Sequence, residues 1–338
     1  MEYFKSRFVD ELNAEGEVEI AGNTWSRHEV LETMDKTAAA DLFTGWVGEA
    51  KLAARARVDD ALRQTGCRAR FDTLLNRHAA GNLVPVIGAG MSASSGFPLW
   101  GPFILDLAAD LADRDKVVAM LNKGKFEEAA EHVIDARGEE EVTEHIHNTF
   151  GSHRKQVLGP VRLLPQVFQA EVITTNFDYV TDAAYRDAGA DFRLTLSGPE
   201  LRSAPQRIGN DPHCLLRLHG EGDTSRSRVL SMAEYQAAYD DDHTLHGVLG
   251  AIVGLRSLVF LGCSLTSDRT VQALQRLREA AVVDPPRHYA ILPAPEPEAR
   301  AARNRALARA GIYPIYYPPE DHDQGIEDLL VAMMEGGL

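Results

Sequence analysis

The chain has 338 residues and a net charge of −15, with 44% hydrophobic and 25% charged residues and three cysteines. It is long enough to bury a large core, it holds no apolar run near the ~20 residues of a bilayer span, and its mixed, charged N-terminus "MEYFKSRFVDELNAEGEVEI" does not read as a signal peptide. Strong negative charge with no Lys/Arg stripe argues against direct nucleic-acid binding. The isolated Cys67, Cys214 and Cys263 argue against a disulfide framework or thiolate zinc site and fit a reducing cytoplasm.

Residues 1–80 read as a helical N-terminal extension. Ser26 to Glu29 form a capping box, and residues 38–66 form a long helix stopping at Gly66. Leu42, Phe43, Trp46, Val47 and Leu52 cluster on it. They predict either an oligomerisation or partner surface or packing on the flank of the following domain. From Leu83 the pattern becomes strand, loop, helix. The predicted strands are 83–87, 171–175, 214–220, 257–262, 288–292 and 312–317, several without the alternation of a half-exposed sheet, as expected of parallel strands buried on both faces. Helices are predicted over 270–280 and 298–311, and Asp268 reads as a cap before the first or as a surface contact, not as a catalyst. More than one crossover helix separates the first two strands. Residues 115–150 read as several amphipathic helices within an insertion over about 101–168. The expected fold is α/β, a doubly wound, mostly parallel Rossmann-like sheet over residues 81–338 with that helical lobe inserted.

The stretch "VPVIGAGMSASSGFPLW" (84–100) ends the first of these strands in a glycine turn. Gly88-Ala89-Gly90-Met91-Ser92-Ala93 satisfies the loose G-x-G-x-x-G/A pattern, in which backbone N–H groups and a helix N-terminus face a phosphate. A tight structural turn is the alternative. Ligands of open α/β sheets bind beyond the carboxyl ends of the strands. There the sequence places Gly88 to Ser92, then Thr175-Asn176-Phe177-Asp178, His219-Gly220, and Gly262-Cys263-Ser264. Individually, Asp178 reads also as a helix cap, His219 as a buried histidine, and Cys263 as a core residue.

Taken in order, "GAGMSASSGFP", "TTNFD", "LHG" and "FLGCS" resemble the signature boxes of sirtuins. With "LSMAEYQAAY" and the closing "HYAILPA…GIYPIYY", they resemble most the sirtuin-like domains of bacterial anti-phage defence proteins. The resemblance implies NAD+ as substrate, with no metal, and Asn176, His219 and Asp178 as catalytic groups. Asn176 would fix a water or ribose hydroxyl, His219 would act as base with a pKa suited to neutrality, and Asp178 would hold the nicotinamide carboxamide. Gly88, Ala89, Gly90 and Ser92 would hold the pyrophosphate, with Thr175, Gly262 and Ser264 completing the cofactor side. Two departures matter. The stretch after His219-Gly220 lacks the paired cysteines of a sirtuin zinc ribbon, and Gly96 to Gly101 (GFPLWG) replaces the sirtuin GIPDFR segment. Protein deacylation therefore loses its support, and water becomes the expected acceptor. The resemblance implies an NAD+ glycohydrolase, the NAD-depleting effector of a defence system. It also implies a homo-oligomer or a partner such as a translocase-type ATPase or an Argonaute-like sensor. An ADP-ribosyltransferase or deacylase, a non-catalytic NAD- or ADP-ribose-sensing module and a dehydrogenase are the alternatives.

Overall fold

A computed structural model describes residues 2–336 other than 153–155, 208–212, 226–227, 242–243, 267–268 and 283; Asp268 thus lies outside the described residues. The N-terminal part comprises α1 (Glu2–Ala14), a hairpin of β1 (Val18–Ile20) and β2 (Asn23–Trp25), α2 (Arg27–Met34), α3 (Lys36–Thr65) and α4 (Arg68–Ala79). Strand β3 (Leu83–Ile87) leads to the inserted helices α5 (Trp100–Leu107), α6 (Arg114–Asn122), α7 (Phe126–Arg137), α8 (Glu139–Phe150) and α9 (Leu164–Val167). Next come β4 (Val172–Thr174), α10 (Val180–Asp187), β5 (Leu194–Ser197), α11 (Ala204–Arg207) and β6 (Cys214–Arg217). The chain continues through α12 (Met232–Gln236), α13 (Thr244–Val253), β7 (Ser257–Leu261) and α14 (Arg269–Ala280). It closes with β8 (His288–Pro293), α15 (Pro297–Arg309), β9 (Ile312–Tyr317) and α16 (His322–Met334).

The apolar strands assemble as expected. The main sheet runs β5-β6-β4-β3-β7-β8-β9, seven strands with every pairing parallel. Without edge strand β5 the order is that of a doubly wound dinucleotide-binding sheet, and the chain reverses direction between β3 and β7. β3 and β7 are buried along their whole length, which is why neither alternates in polarity. Pro85 is tolerated within β3 because β4 pairs only with Val86 and Ile87. Register then sets the rim: Ile87 lies opposite Thr174 on one side and Leu261 on the other, and Thr174 lies opposite Arg217. The first residues beyond these four are the loops that the sequence singled out.

The N-terminal helices are part of this core. Tyr3, Phe4, Val47, Val58 and Leu62 are buried in the same apolar cluster as the sheet, and Phe8 meets Phe43 at 5.4 Å between ring centroids. The ionic contacts run to α16: Tyr3 and Arg7 bond to Glu327, and Arg57 binds Asp328 through two bonds of 2.7 and 2.8 Å. The apolar cluster read from the sequence therefore divides. Val47, Phe43 and Trp46 pack inward, whereas Leu42 and Leu52 stay exposed. The capping box at Ser26 forms with both of its hydrogen bonds. Among the described residues no helix is long and apolar enough to cross a membrane.

Two small features escaped the sequence reading. The β1–β2 hairpin turns on Ala21 and Gly22, both at positive φ (52° and 80°). Alanine at a position that usually calls for Asn or Gly gives no turn signal. Strand β5 is only four residues long, and β6 alone holds it.

Candidate active site

At the point where the sheet reverses, the glycine loops of β3 and β7 lie against each other. A Cβ on Gly88 would sit 2.7 Å from the Gly262 carbonyl oxygen, and one on Gly90 would sit 2.9 Å from Gly262 Cα. One on Gly262, itself at φ +67°, would meet the Met91 nitrogen at 2.5 Å. The glycines are therefore required first by contact of one loop with the other. Their donors are also engaged: Gly88 N–H donates to Leu261 O (2.9 Å), Gly90 N–H to Gly262 O (2.9 Å), and Ser92 N–H to Ala89 O (3.0 Å). No α-helix follows the turn directly; two short 3-10 turns, Ala89–Met91 and Ala93–Ser95, come first. Three of the four residues assigned to the pyrophosphate spend their N–H groups inside the protein. Among the described residues Ala89 N–H has no hydrogen-bond acceptor.

Ser92 is fully buried and works sideways. Its hydroxyl donates to Asp178 Oδ1 (3.0 Å) and accepts from Asn176 Nδ2 (3.1 Å). Asn176 Nδ2 also donates to the Gly88 carbonyl (3.0 Å), which fixes the amide orientation because a carbonyl can only accept. Asn176 Oδ1 is then left buried without a hydrogen-bond partner. Such orphans are rare and costly, on the order of 1–3 kcal/mol. Thr175 turns inward, donating from both N–H and hydroxyl to the Ile87 carbonyl (3.1 and 3.4 Å). Asp178 accepts from Val180 N–H (3.0 Å) in the first turn of α10, but the N-cap of that helix is Tyr179, so Asp178 bonds to it from one position before the cap. Burial holds its carboxyl above the usual range despite these bonds.

His219 is almost wholly buried, with Nε2 2.8 Å from Tyr239 Oη and Nδ1 3.4 Å from Tyr235 Oη. Both tyrosines come from the "MAEYQAAY" stretch, and their rings stack 5.9 Å apart. Exclusion of water pushes the imidazole down to about 3. The expected base poised at neutrality is thus, in this arrangement, a neutral and weakly basic ring. The segment is tied to the helical lobe: Ala233 N–H donates to Glu131 (3.1 Å) and Arg228 to Thr143 (2.9 Å). On the other side of the rim Ser264 is exposed, its carbonyl accepts from Arg303, and Leu265 holds a positive φ of 50°. A cavity of about 150 Å3 between Val84, Glu171, Ile252 and Arg256 is lined by residues near the amino-terminal ends of the strands and is no part of this rim.

Two functional candidates were missed. Arg217 lies fully buried within "CLLRLHG"; its signal was a lone cation in an apolar strand. Arg303 brings a charge to the β7 loop from helix α15, a long-range contact with no local signature.

His288, buried at the start of β8 with Nδ1 accepting from Leu258 N–H of neighbouring β7, is held at about 4 by burial and by Arg278. Both histidines titrate below the ordinary value near 6.5, so the unfolded chain binds more protons and stability falls as pH drops from 6.5. Where both are charged only in the unfolded chain, the slope reaches ~2.7 kcal/mol per pH unit. The urea midpoint is expected to be clearly lower at pH 5 than at pH 7, and His288→Asn to lose about half of that difference. Equal midpoints at the two pH values would contradict the assignment.

Residues 170–315, the span carrying Asn176, Asp178, His219 and the β7 loop, match the family described as SIR2-like domain. The chain is similar to SIR2-like domains over that span. It is also 24% identical over 206 residues to the NAD(+) hydrolase ThsA of Cytobacillus dafuensis, an alignment covering 60% of this chain and 39% of that protein. The SIR2-like match begins before β4 and so leaves out the glycine loop of β3, which the fold nevertheless sets against Gly262.

Proposed function

We propose that the chain is an NAD+ glycohydrolase releasing nicotinamide and ADP-ribose, with Asn176, Asp178 and His219 as its catalytic groups. The observation that carries this reading is the unpartnered, buried Asn176 Oδ1 at the point where the parallel sheet reverses. An acceptor held in fixed orientation by Gly88 and Ser92 suits a ribose hydroxyl or a water, each of which brings a donor. In the reaction the bond between ribose C1′ and the pyridinium nitrogen breaks. Its electron pair neutralises the ring, so nicotinamide leaves without an acid. Water forms the new C1′–O bond and gives its proton to solvent or to an imidazole. Asp178 holds the carboxamide, its carboxyl kept in place by Ser92 and Val180 N–H. Ala89 N–H, Gly262, Ser264 and the nearby Arg303 form the pyrophosphate and adenosine side. His219 hydrogen-bonds to the ribose once its tyrosine partners give way.

The cage around His219 favours one second reading, a module that senses NAD+ or ADP-ribose without turnover. Incubating the chain with NAD+, with and without an acetyl-lysine peptide, separates the readings. Nicotinamide release unaffected by the peptide supports the hydrolase, release that requires the peptide supports a deacylase, and binding without release supports the sensor.

The same reading makes residues 81–338 the catalytic domain, with residues 1–80 as its extension. It places the chain in the cytoplasm as the NAD-depleting effector of an anti-phage system, restrained by self-assembly or by a partner protein such as a translocase-type ATPase or an Argonaute-like sensor. Its support is the sirtuin-like box pattern together with exposed Met34, Leu42 and Leu52 on the extension.

A further inference from the structure

We propose that Arg217 is a positioning residue that clamps the Asn176–Asp178 turn in its working orientation. Its kinetic consequence rests on the hydrolase reading above; the clamp itself does not. Arg217 ends β6, opposite Thr174 of β4, and its side chain is 1% exposed. Cys214, Leu215 and Leu216 before it and Leu218 after it are buried apolar residues, so a purely structural position here is one that a leucine fills. A charge is costly in such a place unless it is paired and hydrogen-bonded.

The guanidinium spans the turn from strand to helix. Nη1 donates to the backbone carbonyls of Asn176 (3.4 Å) and Asp178 (3.1 Å). Nη2 pairs with Asp182 in α10, and the guanidinium carbon lies 4.6 Å from the centre of the Tyr179 ring. Nε has no hydrogen-bond partner, and Glu221 lies 4.0 Å from it. Four residues of one turn thus meet a single rigid fork, a geometry that a lysine cannot reproduce. The two carbonyls belong to the residues whose side chains are assigned to the substrate. Rotation of either peptide would swing Asn176 Oδ1 or the Asp178 carboxyl away from the rim.

The test uses the full chain with Arg217→Lys, Arg217→Met and Asp182→Asn. The first readout is amide hydrogen exchange, which does not depend on turnover. Arg217→Lys is expected to speed exchange across residues 175–182 by about tenfold while 83–87 and 257–261 stay as in the wild type. The second readout is NAD+ cleavage, where kcat is expected to fall by about a hundredfold with KM moving less than about threefold. Asp182→Asn, which weakens the pair but keeps the fork, is expected to give an intermediate loss. Unchanged exchange at 175–182, an equal rise throughout the sheet, or faster exchange with unchanged kcat each overturns the proposal. If Arg217→Met does not fold, Arg217→Lys and Asp182→Asn decide. A wild-type chain that cleaves no NAD+, with Arg217→Lys still showing the local exchange change, would sink the hydrolase reading and leave the clamp standing.

Discussion

Asn176→Ala is expected to lower nicotinamide release from NAD+ by about a hundredfold or more, because a positioned polar group at the reacting centre is removed. The amide has no slack in this fold. One end is committed to Gly88 O and Ser92 Oγ, and the other end is unpaired. A side chain kept only for packing would not leave an acceptor buried and empty. Removal also withdraws a donor from Ser92, which in turn contacts Asp178, so a stability loss of about 1–3 kcal/mol accompanies the kinetic one. Steady-state kinetics beside a denaturant curve distinguish the two effects. A folded Asn176→Ala chain with wild-type turnover would remove Asn176 from the chemistry.

The second large effect concerns residues 1–66. Their deletion is expected to abolish cooperative folding of the remainder. Helix α16 is buried from Gly325 to Met333; α3 packs along it, and Tyr3 and Arg7 of α1 bond to its Glu327. Without them Glu327 loses Tyr3 and Arg7, and Asp328 loses both bonds to Arg57. The apolar side chains of Phe4, Val47, Val58 and Leu62 would be lost from the core as well, each worth about 1.5–3 kcal/mol of burial. Against a typical total stability of about 5–15 kcal/mol, that loss is decisive. A truncated chain with a sharp thermal transition near that of the full chain would show that the extension is dispensable. Arg57→Ala offers a milder version. The arginine is half exposed, so the expected cost is only about 1 kcal/mol.

The sheet was legible because parallel strands buried on both faces leave continuous apolar runs; β9 was placed over its whole length. The site was legible as positions, since register carries four strand ends to one rim and each ends in a chemically distinctive residue. What those residues touch was not legible. Gly88 and Gly90 matched a phosphate-loop pattern, yet the backbone that approaches them belongs to Gly262, more than 170 positions along the chain. His219 could be assigned to the rim but not its acidity, because the tyrosines that exclude water arrive from a separate segment. Arg217 passed unnoticed because, in sequence, a buried cation looks like a surface one. The exposed Leu42 and Leu52 show the converse: helical periodicity identified an apolar cluster, and only the packing of α3 against α1 and α16 divided it into an inner and an outer face.

The most direct test of the account is the product balance from NAD+. Purified full-length chain and its Asn176→Ala variant are incubated with NAD+, and nicotinamide and free ADP-ribose are quantified together by chromatography. The account predicts both products in one-to-one ratio from the wild type and neither above background from the variant. Equal product from the variant and the wild type, or nicotinamide released without free ADP-ribose because the sugar is carried on protein, would contradict it.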